Sequence, residues 1–224
     1  MPFTLENPDW GMVLPQLIVL ILAVLVSLLD AFLPKERHFT VITGVTLVGF
    51  GLALVALLRQ AGETGSTFHG QFRLDGLTVF MNMVILIAAI LTVMIAASYV
   101  EYLDGHMGTG EFFTLMSFAT LGAMLTASAG DMIMLFVGIE LSSVATYILT
   151  AFAKRRSTAL EGALKYTLLG MFATAIMLFG FAWIYGATAT TNLDEIATTV
   201  ASVISGDGGT HAGLEAAGIA AGDL

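Results

Sequence analysis

Cysteine is absent from the 224 residues, which excludes a disulfide framework, a thiolate metal site and any iron–sulfur cluster held by cysteines of this chain. Charge is scarce as well. Only 11% of residues are Asp, Glu, Lys or Arg, where a soluble domain carries about 25%. Basic residues are few, eight Lys and Arg against seventeen Asp and Glu, so the electrostatic footprint of a nucleic-acid binder is missing. Proline occurs four times and does not interrupt the middle of any long apolar run. The first twelve residues, MPFTLENPDWGM, contain no basic run and predict no cleaved leader. What remains is apolar: 57% of residues are hydrophobic and the mean hydropathy is +0.91. This is the composition of a polytopic membrane protein.

An apolar helix needs about 20 residues to cross the hydrocarbon core. Six runs meet that length, at residues 12–33, 39–58, 77–99, 112–128, 131–152 and 159–185. They predict an all-α transmembrane bundle occupying residues 1–191. The link 192–205 has Leu193, Ile196, Ala197, Val200, Val203 and Ile204 at helical spacing, the pattern of an amphipathic helix. A Gly- and Ala-rich tail completes a second region, 192–224.

Short features punctuate the runs. Asp30, near the end of the first, is read as a headgroup-level residue. Gly44, Gly49 and Gly51 in the second permit close helix packing. The loop between the second and third runs holds His69, which has no second histidine or cysteine at ligand spacing, so no metal site is expected. Asp75 stands where it can cap the third run, and Asn82 is expected to bond to a neighbouring helix. Ala119, Ala123 and Ala127 form a small-residue stripe for helix contact. Asp131 opens the fifth run, where a carboxylate suits the helix dipole. Lys35, Arg37, Lys154, Arg155 and Arg156 share one side if the runs alternate, and only Arg59 and Arg73 fall on the other. The positive-inside rule then sets the N-terminus outside and the Lys154–Arg156 link in the cytoplasm.

Two ionisable residues stand inside apolar runs, Glu140 in the fifth and Lys165 in the sixth. Such a residue costs about 2.5–3.5 kcal/mol on insertion scales and is a functional-site hypothesis by default. Glu140 lies about ten residues into its run and Lys165 about six into its own, so their heights differ by roughly 9 Å in antiparallel neighbours. Acids and bases spaced along a membrane interior mark proton relays. Two plainer readings stay open. Lys165 can pair with Glu161, four residues earlier, or extend to the cytoplasmic surface. Glu140 can be protonated and bonded to a backbone carbonyl.

At these residues the chain resembles a known family. G-x-E-L at 138–141 is followed by Tyr147, seven residues after the glutamate. A-L-K-Y follows at 163–166 and Y-G-A-T-x-T-T-N-L at 185–193, with F-R-L-D-G-L at 72–77. This pattern resembles the subunit N family of the proton-pumping NADH:quinone oxidoreductase, complex I, strongly over 112–193 and more weakly over the first three runs. The resemblance implies the N-terminal portion of an antiporter-like inverted-repeat fold and a non-redox membrane-arm subunit of a multisubunit translocase; an uncleaved N-terminus favours a bacterial plasma membrane. It implies proton-transfer roles for Glu140 and Lys165, with Glu161, Tyr147 and Tyr166 as supporting residues. No cofactor is expected in this chain; NAD, FMN, iron–sulfur clusters and quinone are expected in partner subunits, and its own partners are other membrane-arm subunits and the lipid bilayer. The family's broken seventh helix and its P-F-H-x-W-x-P-D-x-Y-type motif have no counterpart here. Alternatives are a subunit of a cation/proton antiporter or membrane-bound hydrogenase, or an inactive packing or assembly piece.

Overall fold

The structure, a computed structural model, describes residues 8–32, 38–103, 108–153 and 156–205. Lys35, Arg37, Lys154 and Arg155, on which the orientation argument draws, lie outside the described residues, as does the tail expected at 206–224.

Among the described residues there are six long helices: α1 (Leu14–Phe32), α2 (His38–Arg59), α3 (Gly76–Leu103), α4 (Thr109–Ala127), α5 (Met132–Thr150) and α6 (Ser157–Thr188). All six are long and apolar enough to cross a membrane. A short helix, α7 (Leu193–Ser205), follows. Pro15 is buried in the opening turn of α1, where its missing N–H leaves no bond unmade.

α4 is the hub. It packs against α1, α2, α3 and α5. Phe113, Met116, Leu121 and Met124 of α4 join Val19, Leu22 and Val26 of α1, Ile42, Phe50 and Leu57 of α2, and Leu86 and Val93 of α3 in one buried core. The tightest approach is to α5. A Cβ on Gly122 would overlap the Ser142 backbone nitrogen, and one on Gly138 would come within 2.7 Å of the Thr126 nitrogen. The expected contact stripe, Ala119–Ala123–Ala127, is only half-buried; the close face is rotated onto Gly122. Of the three α2 glycines, Gly49 packs on Leu22, while Gly44 and Gly51 meet nothing within 4 Å. α6 is different: it contacts α5 and, at its far end, α7, and only Ala163 and Thr188 of its residues are buried.

The loop between α2 and α3 is not irregular. It forms an antiparallel hairpin of β1 (Gly65–Thr67) and β2 (Phe72–Leu74), in register Gly65 to Leu74 and Thr67 to Phe72. Phe68, His69 and Gly70 turn it with φ of 55°, 56° and 80°. The hairpin closes one end of the bundle. Arg73 N–H donates to Ser128 O at 2.8 Å and Gly130 N–H to Gln71 O at 2.7 Å, an approach that leaves no room for a Cβ at Gly130.

Polar side chains fix the same end. Asp75 Oδ1 accepts from Thr78 N–H at 2.8 Å, capping α3 as expected. Asn82, fully buried, donates to Ser128 Oγ at 3.0 Å, and Gln16 of α1 donates to the same oxygen at 3.1 Å. Asp131 accepts from Ile133 N–H at 2.7 Å and from Thr191 Oγ1 at 2.5 Å. At the opposite end Asp30 accepts from Gly110 N–H at 3.1 Å, so a carboxylate of α1 serves the open N-terminus of α4.

Candidate functional site

α5 and α6 run antiparallel, joined by a short link, and their facing side chains set the register. Glu140, on α5, sits roughly 12 Å from the start of that helix and roughly 15 Å from its end at 1.5 Å per residue. That places it near mid-span. Its Oε1 accepts from Thr174 Oγ1 of α6 at 2.7 Å, in a half-buried setting. The carboxyl is therefore turned to the neighbouring helix, which accords with the cost of leaving it unpartnered in hydrocarbon.

The next contact along this seam is aromatic. Tyr147 and Tyr166 stack edge to face, with ring centroids 4.8 Å apart and planes at 88°. Gly170 makes room: a Cβ there would overlap the Tyr147 hydroxyl. Tyr147 lies two turns from Glu140 on the same helix, so Glu140, Tyr147, Tyr166 and Thr174 line one seam between two helices.

Lys165 does not join it. Its amine pairs with Glu161 Oε1 at 2.5 Å, one turn back on α6, and the two side chains are 69% and 64% exposed. Of the readings left open for Lys165, the structure has the local pair with Glu161, on the outer face of α6. The register explains its distance from Glu140. Thr174 is level with Glu140 and stands nine residues beyond Lys165, so the two charges are separated by roughly 14 Å along the axis. That exceeds the height difference expected from run boundaries alone.

Thr174 was not among the residues singled out from the sequence. A threonine in an apolar run usually returns its hydroxyl to the carbonyl four residues back, as Thr167 does to Ala163 O at 2.8 Å, so composition carries no sign that Thr174 reaches across instead. Among the described residues no group of three or more His, Cys, Asp or Glu side chains could hold a metal ion.

Comparison with known proteins gives this geometry a context. Residues 129–219, which include both candidate charges, match a family described as the transmembrane part of NADH:quinone oxidoreductase and Mrp antiporters. The chain is 40% identical over 200 residues to NADH-quinone oxidoreductase subunit N of Anoxybacillus flavithermus, covering 89% of this chain and 40% of that protein. It superposes on a chain of respiratory complex I from Thermus thermophilus with a TM-score of 0.68 and 32% identity, over 80% of this chain and 38% of the other. A chain of an archaeal membrane-bound sulfane sulfur reductase gives the same TM-score at 24% identity, a likeness of fold. The chain spans about two fifths of the length of the relatives it matches.

Proposed function

We propose that this chain, which is related along most of its length to the antiporter-like membrane subunits of NADH:quinone oxidoreductase, serves as a membrane-arm subunit of a proton-translocating oxidoreductase. It would perform no redox step itself. Its part would be to hold and release protons at mid-membrane in response to charge changes elsewhere in the complex. The observation that carries this reading is the placement of Glu140: a carboxyl near the middle of a transmembrane helix, held by a hydroxyl from the next helix.

The Glu161–Lys165 pair supplies the electrostatic element. A cation and an anion one turn apart on the outer face of α6 form a dipole whose partnership a nearby charge can disturb. Shielded from water by a neighbouring subunit, the pair would sit in low dielectric, where its field reaches further than in water. In this reading the Tyr147 hydroxyl, beside Gly170, stands at a height between Lys165 and Glu140. The hairpin end faces outside and the Arg156 end the cytoplasm of a bacterial cell, following the distribution of Lys and Arg.

A second reading, a subunit of a cation/proton antiporter, is favoured by one observation: the matching family covers Mrp antiporters as well. Both readings are tested by expressing the chain with its neighbouring gene products in inverted vesicles. NADH-driven acidification that falls at least about tenfold in Glu140→Gln, with NADH oxidation by a soluble artificial acceptor intact, supports the oxidoreductase reading, on the scale that removal of a proton-transfer group commands. Undiminished acidification overturns it. Sodium-gradient-driven proton movement without NADH would support the antiporter reading.

A further inference from the structure

Away from the α5–α6 seam, a continuous groove runs along the outer face of α1 and α2. Its deep part is a cavity of about 530 Å³ lined by Ile21, Leu22, Leu25, Gly44, Val48 and Gly49, among others, and is almost wholly apolar. Its upper part, of about 610 Å³, is lined by Leu14 and Val55 and then by Asp9, Arg59 and Glu63. Ile18 and Leu52 belong to both, so the two parts are one trough with a charged mouth.

We infer that this trough is a phospholipid site: one acyl chain lies along α1 and α2, and a zwitterionic, amine-bearing headgroup sits at Arg59, Asp9 and Glu63. The dimensions fit one leaflet. From Gly44 to Arg59 the helix rises roughly 22 Å, and half of a bilayer with its headgroup region measures about 20–22 Å. Each volume falls within the roughly 300–1,000 Å³ usual for small-ligand pockets. Depth is marked independently by Trp10, which is 57% exposed and packs edge to face on Phe68 of the hairpin at 5.5 Å. Tryptophan sits at headgroup level in membrane proteins, and Trp10 adjoins Asp9 at the mouth.

The charges select the headgroup. Arg59 is suited to a phosphate, which a guanidinium can bind through two N–H groups. Asp9 and Glu63 beside it disfavour a second negative charge and suit an ammonium, so an ethanolamine headgroup fits where a glycerol or doubly anionic one does not. Gly44 gives the chain its room: nothing lies within 4 Å of where its Cβ would be, so a larger side chain there fills the trough without disturbing the core. The inference requires only that the chain spans a membrane, and it does not depend on proton transfer.

The test uses the whole chain, expressed with its natural partner subunits in native membranes, and a photoactivatable phosphatidylethanolamine with a diazirine in one acyl chain. Adducts are expected on the α1 and α2 peptides that line the trough, several-fold more than with a phosphatidylglycerol probe of identical chains. Gly44→Leu should lower the yield about tenfold, while Gly51→Leu, equally open but outside the trough, should not. Arg59→Gln, remote from the packed core, should lower it several-fold, and Asp9→Asn with Glu63→Gln should abolish the preference for ethanolamine. Equal yields from the two probes overturn the headgroup assignment. Adduct-free trough peptides, or protein cross-links there to a partner's helix, overturn the site.

Discussion

Thr174 of α6 donates a 2.7 Å hydrogen bond to the carboxyl of Glu140 on α5, and this contact ties a mid-span acid to a neighbouring helix. With the Tyr147–Tyr166 contact and the close approach of Tyr147 to Gly170, it marks the register of the two helices.

Thr174→Val removes the donor while keeping the shape. An interhelical hydrogen bond in a membrane is worth about 0.6–2 kcal/mol, so thermal unfolding in detergent should shift only modestly. If Glu140 moves protons, NADH-driven pumping should fall severalfold, less than in Glu140→Gln, and Thr174→Ser should restore it. Normal pumping in Thr174→Val would show that the contact is only structural.

The Glu161–Lys165 pair predicts a separation of stability from activity. An exposed pair at this spacing contributes about 0.3–0.5 kcal/mol, so Lys165→Ala should unfold almost as the parent does. Pumping-coupled quinone reduction should nevertheless drop, with artificial-acceptor activity retained. The exchanged pair, Glu161→Lys with Lys165→Glu, keeps an ion pair but moves the cation one turn. Full activity in the exchanged protein would mean that the position of the cation does not matter.

Asp75 carries a pH dependence that lies outside the membrane. The Thr78 backbone N–H is the main reason its carboxyl is held below the ordinary 3.8; burial opposes the shift, while the Thr78 hydroxyl and Arg73 reinforce it. Because the folded affinity for protons is the weaker one, the cap's stabilisation is present above the unfolded pKa and disappears as pH falls through the folded value. Thermal unfolding of Asp75→Ala should show a loss of about 1 kcal/mol at pH 7. The difference from the parent should shrink below pH 3.8. Equal deficits at pH 7 and pH 3 would assign the effect to something other than the ionised cap.

Glycine substitutions should act in opposite directions at two positions. Gly122→Ala presses a methyl group onto the backbone of α5 and should cost about 1–3 kcal/mol, the usual range for overpacking. Gly180→Ala, on the open side of α6 with nothing within 4 Å, should be neutral or raise the melting temperature, since alanine is favoured in a helix by up to about 1 kcal/mol. Similar losses at both positions would contradict the close α4–α5 approach.

Much of the architecture is legible along the chain, and the parts that are not share a cause. The six helices announce themselves because hydropathy is summed over many residues. Asp75, Asp131 and Asn82 are legible because a polar group at a helix end or inside an apolar run has few ways to be satisfied. Rotation about a helix axis is another matter. Periodicity shows which residues share a face but not which face meets which neighbour. The stripe Ala119–Ala123–Ala127 therefore stands beside the true contact at Gly122, and the sequence alone leaves open whether Lys165 faces a neighbouring helix or pairs with Glu161 on the outer face. Sliding between antiparallel helices is equally silent, so Thr174 and the roughly 14 Å offset of the two charges emerge only in three dimensions. The β1–β2 hairpin is too short to show a period of two, and its turn depends on non-glycine residues with positive φ.

The central position of α4 bears on biogenesis. Helices leave the ribosome in order, and α1, α2 and α3 emerge before the helix that packs against all three. Until α4 is released, the side chains of α1, α2 and α3 that will meet it lack that partner, and Asn82 and Gln16 wait for the hydroxyl of Ser128 that both will share. Full consolidation of α1–α4 is therefore expected only once that fourth segment is delivered from the translocon.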